Sequence, residues 1–515
     1  MKLRLALFVA AASGFVALSY EILWYRLCSY ATQGGPVAFG ALLGFYLIGL
    51  AVGSYASRAY CEERDVSAAR RALGRFLLLA TAVAFLVAPA MGWVVTVGPW
   101  VLTLLVVLPA TTLLGAVLPL TSHLAIAPDD HAGARLSYLY LANIIGSCAG
   151  SLVTGFVAMD CLSVREIAVG IAWLGLVLSA VVLVATEPRR RILVATLGAV
   201  VGVAAAVGLA SHAAFDQIYE RLLYGKDFMS NTRFAQTVEN RSGVINVTED
   251  GRVFGGGVYD GAFNTSLVHD QNLVVRAYAV SAMHPRPKRM LMVGLASGSW
   301  AKVLAAAPGL EHLTIVEINP GYLPLIATHA EVSGILRDPK VEIVIDDGRR
   351  WLEAHPRESF DAIVMNTTWH WRAHATNLLS REFFDIVRRH LATGGVFFFN
   401  TTWSADACKT ALVVFPHALR VSNFIAGSDA PLAIDPVAWR ALLEGYRIDG
   451  HPVLDLTSEV DRETLEKLVA YAEPGGANRD VEEAASLWTA CAVGDVITDD
   501  NMLPEFRRSG ARPKP

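Results

Sequence analysis

Seven predominantly apolar stretches, near residues 5–29, 37–57, 73–95, 99–126, 136–158, 166–186 and 191–210, dominate the N-terminal part of this chain. Each is long enough to cross a hydrocarbon core of roughly 30 Å as a helix. Such runs need an apolar solvent, and a single soluble core cannot bury so many, so the reading is a multi-pass helical membrane domain. The composition agrees: 54% of the 515 residues are hydrophobic and only 17% are charged, against about 45–50% and about 25% in soluble domains. Lys2 and Arg4 precede the first run as they would in a signal peptide. The runs that follow favour a first transmembrane helix over a cleaved leader.

Charge along this region is uneven. Arg58, Arg64, Arg70, Arg71 and Arg75 gather after the second run, and Arg189, Arg190 and Arg191 after the sixth, whereas the connections around Gly34 and Gly98 carry no basic residue. Basic loops stay in the cytoplasm, which sets the expected orientation. Glu21 and Arg26 lie five positions apart at the end of the first run, and Asp160 ends the fifth. Ionisable groups there are expensive; they are either functional or paired to anchor a helix end. Asn143, Gly146, Gly150 and Gly155 read as a small-residue packing face.

From about Ser211 the apolar pattern stops and strands alternate with amphipathic helices. AQTVEN, GVINVTED and RVF, separated by Gly and Asp turns, predict a small antiparallel sheet. MLMVG (290–294), LTIVEIN (313–319), VEIVIDDG (341–348), DAIVMN (361–366) and GVFFFNTT (395–402), each parted from the next by a helical stretch, predict a Rossmann-like, doubly wound, mainly parallel sheet. Beyond Pro431 the chain reads as a helical cap. The expected domains are 1–211 (membrane), 212–265 (linker and small β subdomain), 266–430 (α/β domain) and 431–515 (cap). The six cysteines, Cys28, Cys61, Cys148, Cys161, Cys408 and Cys491, show no CxxC or His/Cys cluster, so neither a zinc site nor a disulfide framework is expected. A net charge of −4 argues against nucleic acid as a partner.

The segment Val293-Gly294-Leu295-Ala296-Ser297-Gly298 follows a strand and opens a helix, where small residues and free N–H groups let a nucleotide approach. Alone it is equally a tight strand-to-helix turn. Glu317, 23 positions after Gly294 and at the next strand end, is where a carboxylate accepts hydrogen bonds from a ribose. Asp346-Asp347-Gly348 ends the third strand, so three consecutive strand ends address one crevice. After the fourth strand come Asn366-Thr367-Thr368-Trp369-His370-Trp371-Arg372 and His374. This aromatic and basic cluster suits an acceptor pocket or simple packing under the cap. The His370/His374 spacing lacks a third ligand, so no metal is expected.

These residues resemble the spermidine synthases, aminopropyltransferases with an S-adenosylmethionine-methyltransferase-like fold, and in particular their membrane-fused relatives. The resemblance runs from about Thr232 to Thr402, with echoes in SGFVALSYEILWYRL and ITDDNMLPEF. It implies that Gln236, Glu317, Asp347 and Gly348, with Asp346 beside them, hold the adenosine half of the donor; Gly294, Ser297 and Gly298 are expected to bind the donor as part of the strand-to-helix turn. It also places Asp260, in Tyr259-Asp260-Gly261, and Asp270, in His269-Asp270, at the acceptor entrance; Asp260-Gly261 is also an ordinary turn signal. Two departures stand out. Ser297 replaces the family's loop Asp that faces the donor ammonium, and Asn366 replaces the Asp that helps deprotonate the attacking amine. An amide cannot take that proton, so His370 or His374 is the expected substitute, with Asn366 orienting the acceptor.

The expected function is a membrane-bound, spermidine synthase-like transferase that uses S-adenosylmethionine or decarboxylated S-adenosylmethionine and moves an aminopropyl or other alkyl group to a small-molecule or lipidic acceptor. The alternative is a transporter-like membrane protein with a non-catalytic nucleoside-binding regulatory domain. The expected location is a bacterial cytoplasmic membrane, with a homo-oligomer left open. Seven spans with the Arg loops inside put the α/β domain outside, where S-adenosyl donors are not expected. Reading 99–126, with Pro109 and Pro119, as two short helices or a re-entrant hairpin would return it to the cytoplasm.

Overall fold

The computed structural model describes residues 1–62, 66–187, 189–270, 272–284, 286–366, 369–471 and 481–507. Arg64, Thr367 and Thr368 lie outside them. The chain forms two compact units, Met1–Val244 and Ile245–Pro515.

In the first unit, Leu3–Ala31, Val37–Glu62, Ala68–Val97, Leu102–Ala125, Ala132–Cys161, Val164–Thr186 and Arg190–Phe215 are seven candidate spans, long and apolar enough to cross a membrane. Helices satisfy their own backbone groups, which is what a bilayer demands. Pro89 and Pro109 sit inside helices without ending them. Leu102–Gly115 and Val117–Ala125 run on as one candidate span.

Close packing follows the small residues. A Cβ on Gly146 or Gly150 would overlap the Ala11 or Phe15 carbonyl of the first span, and Asn143 Nδ2 donates to Ala10 O at 3.0 Å. Gly155 meets only Ile22 Cγ2 at 3.9 Å, so the tight face ends before it. Gly49, Gly53 and Gly115, which sequence reading passed over, bring the second and fourth spans together in the same way. Glu21 and Arg26 do not pair. Arg26 donates to the Asn240 carbonyl, and the buried Glu21 has no hydrogen-bond or ion-pair partner among the described residues. Asp160 does pair, with Arg241 at 3.4 Å. Strand β1 (Phe234–Asn240) also carries Glu239, which accepts from Val164 N at 2.8 Å and Tyr219 Oη at 2.9 Å.

The second unit begins within β2 (Gly243–Thr248), which pairs antiparallel with β3 (Arg252–Gly255); β3 pairs with β4 (Val258–Ala262). Then come β5 (Arg289–Val293), β6 (His312–Glu317), β7 (Val341–Ile345), β8 (Phe360–Met365), β9 (Leu391–Asn400), β10 (His417–Val421), β11 (Phe424–Ser428), a small ribbon of β12 (Arg447–Ile448) and β13 (His451–Pro452), and β14 (Val481–Glu483). The large sheet has the order β14-β10-β11-β9-β8-β5-β6-β7. Strands β9, β8, β5, β6 and β7 run parallel with the order reversing at β5, while β11, β10 and β14 add an antiparallel edge. The sheet is therefore mixed, where sequence reading gave a mainly parallel one. The tight turn at Ser422-Asn423 folds β11 back onto β10. Phe397, Phe398 and Phe399 in β9 are fully buried, as expected of a strand covered on both faces.

The cap is only partly helical. Pro436–Gly445 and Glu459–Tyr471 are helices, but β14 joins the sheet. The reading that no disulfide is indicated is corrected: Cys408 and Cys491 are bonded. They lie 83 residues apart on helix Ala405–Val414 and just after helix Ala484–Ala490, a pairing that only the fold creates. The final segment docks through Asp499, which accepts from Arg349 at 2.7 and 2.6 Å and from Ser380 Oγ at 2.7 Å. Glu505 accepts from Thr376 N at 3.0 Å and its Oγ1 at 2.6 Å.

The close approach of the first and fifth spans gives a direct expectation. Gly146→Leu should lower stability by about 1–3 kcal/mol, the usual range for overpacking, read as a fall in the thermal unfolding midpoint in detergent. Gly44→Ala, where an added Cβ meets nothing within 4 Å, should leave the midpoint within error.

Candidate active site

Glu317 ends β6 and is buried at 4% exposure. Its Oε2 accepts from Leu295 N at 2.6 Å and Ala296 N at 3.4 Å, and its Oε1 from Asn319 N at 2.7 Å. Burial raises its pKa while these backbone donors oppose the shift. The carboxylate thus fixes the loop that leaves β5. That loop needs unusual backbone: Gly294, Ala296 and Gly298 have φ of 89°, 49° and 76°, the left-handed region that glycine enters most cheaply. Ser297 is buried, bonded to Ser299 Oγ at 3.0 Å, and lies where a Cβ on Gly261 would come within 2.7 Å of its hydroxyl.

Asp346 and Asp347 divide their work. Asp347 caps helix Gly348–Ala354 by accepting from Arg350 N at 2.9 Å, and Asp346 accepts from Arg350 Nε at 2.7 Å and Asp347 N at 2.6 Å. Gly348 is tied to its size, since an added Cβ would come within 2.5 Å of Val293 Cγ1.

Asp260 on β4 is a second buried acid of the site with a raised pKa. Burial lifts its pKa to about 6, Tyr322 opposes the shift by donating its hydroxyl, Glu317 adds to it and Arg372 opposes it. Gly255 leaves room for Tyr322 Oη, and a Cβ on Gly256 would come within 2.7 Å of Arg372 Nη2. The Gly255-Gly256-Gly257 turn, Asp260, Tyr322 and Arg372 therefore form one constellation. Sequence reading missed Tyr322; the hydroxyl belongs to the first turn after the Glu317 strand end, where it could have been sought.

The other predicted residues are placed differently. Asp270 spends both oxygens on backbone N–H groups of Asn272, Val274 and Val275, at 3.0, 2.8 and 3.1 Å, capping helix Val275–Met283. Asn366 accepts from Asn400 Nδ2 at 3.3 Å; Asn400 Oδ1 accepts from Asn423 Nδ2 at 2.8 Å, and Asn423 accepts from Arg276. Arg276 lies over the Trp300 and Phe424 rings, 5.4 and 4.8 Å from their centroids, and burial lowers its pKa to about 10. Asn400 and Asn423, also missed, could have been found by extending the strand-end rule to β9 and its neighbour.

His370 is buried, with Nδ1 2.6 Å from Thr402 Oγ1 and Nε2 3.1 Å from the Arg507 carbonyl. A carbonyl can only accept, so Nε2 carries the hydrogen and Nδ1 accepts from Thr402. Burial lowers its pKa, keeping the ring neutral. Both nitrogens are thus occupied, which makes His370 a tether. His374 is exposed and adopts φ 67°. Gln236 lies on β1 in the first unit.

The sequence is similar to those of known proteins. A model of the spermine/spermidine synthase domain matches residues 277–411. Polyamine aminopropyltransferase 1 of Streptomyces coelicolor is 25% identical over 411 residues, covering 76% of this chain and 74% of its own. Polyamine aminopropyltransferase 2 of Ralstonia nicotianae is 25% identical over 460 residues, covering 82% of this chain and 85% of its own. Among solved structures, a spermidine synthase from Thermotoga maritima aligns at 16% identity with a TM-score of 0.37, covering 51% of this chain and 88% of that one. Residues 277–411 thus match a spermine/spermidine synthase domain, within a chain that is similar to polyamine aminopropyltransferases over most of its length.

Proposed function

We propose that the chain is a membrane-bound transferase of the polyamine aminopropyltransferase type, which moves an alkyl group from S-adenosylmethionine or its decarboxylated form to an amine acceptor. The observation that carries this reading is Glu317, a buried carboxylate holding the loop after β5 with Asp260 and Tyr322 beside it. Glu317 accepts from backbone N–H groups of Leu295, Ala296 and Asn319, with Ile318 N–H a further donor, and it stands at the strand end where a carboxylate of a nucleotide-binding sheet meets the ribose. Asp347 and Gly348 offer the second strand end of the same crevice.

In the proposed step the acceptor nitrogen forms a bond to the carbon next to the sulfonium. The carbon–sulfur bond breaks, the sulfur leaves with the electron pair as a neutral thioether, and the surplus proton on nitrogen goes to a base. Asp260 fits that base better than His370, because its pKa of about 6 sits near working pH while both His370 nitrogens are taken. Asn366 would orient the acceptor, and His370 would hold the Asn366–His374 loop against the C-terminal segment. Positioning supplies the remainder of the catalysis.

We further place the α/β unit outside the cytoplasm of a bacterial cell, as part of a multi-pass protein of the cytoplasmic membrane. Arg58, Arg64, Arg70, Arg71, Arg75, Arg135 and Arg189 to Arg191 fall on one side of a seven-span arrangement, while residues 32–36 and 98–101 opposite carry no Lys or Arg. Only the seventh span follows the Arg189 loop, so the chain after Phe215 emerges opposite the basic side. The Cys408–Cys491 bond supports the same side, since such bonds persist in oxidising compartments. A donor made in the cytoplasm then has to cross the bilayer to reach the site.

Three measurements test these points. Purified protein should bind labelled S-adenosylmethionine or its decarboxylated form, with affinity reduced at least about tenfold in Glu317→Gln, the loss of roughly one charge-assisted hydrogen bond; binding of neither donor would sink the transferase reading. For Asp260, a raised pKa means that the folded state favours the protonated acid. Its stabilisation is complete below about pH 3.8 and is lost as pH rises through about 6. Asp260→Asn should therefore flatten the fall in unfolding midpoint between pH 4 and pH 6.5, and an unchanged slope would remove Asp260 as the titrating group. Alkaline phosphatase fused to the C-terminus of the full chain should be active, and denatured protein should take up two more maleimides after reduction than before. An inactive reporter with six reactive thiols at the outset would put the unit in the cytoplasm.

A further inference from the structure

Tyr20 and Trp24 of the first span stack with centroids 5.4 Å apart, and Tyr46 of the second lies 6.5 Å from Trp24 at an interplanar angle of 57°. All three are fully buried or nearly so, at 0%, 0% and 2% exposure. Yet Tyr20 Oη, Trp24 Nε1 and Tyr46 Oη have no hydrogen-bond partner among the described residues. Glu21, next to Tyr20 and only 9% exposed, is also unpartnered there, and its carboxylate lies within electrostatic range of Tyr46. The nearest basic residue on the same helix, Arg26, is committed to the Asn240 carbonyl.

Buried polar atoms are almost always bonded, so a lone orphan calls for an explanation. Here three orphans and an unpaired carboxylate occupy one aromatic cluster within the first unit. From this convergence we infer that the helical bundle holds a binding site for an organic cation, formed by Tyr20, Glu21, Trp24 and Tyr46. The charge selects the sign. A buried carboxylate excludes anions and is costly without a counter-charge. The aromatic faces attract cations through their quadrupoles, most strongly when the site is dry. The two phenol oxygens accept hydrogen bonds from an ammonium, and a sulfonium would use the same rings and carboxylate. Sodium, being small and strongly hydrated, would gain little from the rings. This site is independent of the donor-binding reading of the second unit, because it lies wholly in Met1–Val244.

Labelled spermidine, an ammonium probe, and labelled S-adenosylmethionine, a sulfonium probe, should be tested separately on the purified full chain in nanodiscs. At least one should bind saturably, with affinity falling tenfold or more in both Glu21→Gln and Trp24→Leu and recovering in part in Glu21→Asp. Glu317→Gln should leave this Glu21-dependent binding intact, which separates the site from the one at the end of β6. Which probe depends on Glu21 identifies the source of the cation. An unfolding midpoint of Glu21→Gln equal to that of the unsubstituted chain establishes that the variant is folded. Binding of both probes that is indifferent to Glu21→Gln, or absent altogether in folded protein, would overturn the inference.

Discussion

The Glu317 carboxylate is the contact on which the candidate site hangs. Three backbone N–H groups from two different loops converge on it, and each charge-assisted bond is stronger than its neutral counterpart. Together with the Gly298 N–H to Leu295 carbonyl bond at 2.9 Å, that anchor holds Ala296 at φ 49° between two left-handed glycines. The same carboxylate also raises the proton affinity of Asp260. One buried carboxylate thereby helps fix the loop after β5 and adds to the burial that raises the pKa of Asp260. This is the economy that a parallel sheet permits, since its strand ends open on a single crevice.

What could be read from the sequence follows from how local each signal is. The seven apolar runs were legible because a bilayer requires about twenty residues in succession, and the Gly146/Gly150 face because helical spacing repeats. The loop at Gly294 and the acids Glu317 and Asp347 were legible because strand, turn and helix are contiguous. The antiparallel edge was not read, since β14 reaches β10 across some sixty residues of chain. The Cys408–Cys491 bond is hidden for the same reason.

Side-chain roles proved less legible than positions. His370 looked like a proton acceptor because only its neighbours Trp369 and Trp371 were visible. Its ring partners, Thr402 and Arg507, are 32 and 137 residues away. Asp270 looked like part of an acidic entrance, whereas an Asp two to five residues before free helical N–H groups has a local use for both oxygens. Glu21 and Arg26 suggested a pair by proximity in sequence. Five residues is not a helical contact spacing, whereas three or four is, and Arg26 reaches a carbonyl from β1 instead.

The substitutions at Ser297 and Asn366 change the electrostatics of the crevice as well as its chemistry. A carboxylate after β8 would need a counter-charge or a bound cation to be tolerated beside Glu317 and Asp260. Asn366 needs neither, and it joins a neutral chain through Asn400 and Asn423 to Arg276, whose own charge is spread over two aromatic faces. The acids of the site are thus Glu317 and Asp260 together with Asp346 and Asp347 after β7, and Asn366 adds none at the β8 end. Under the transferase proposal, an ammonium would be held less strongly at the β8 end, and recognition of an acceptor would fall to hydrogen bonds and to Trp369 and Trp371, whose rings stack with centroids 6.2 Å apart. Under the same proposal, a crevice of that kind would favour an acceptor with a neutral or apolar body and one reactive nitrogen over a chain carrying several charges.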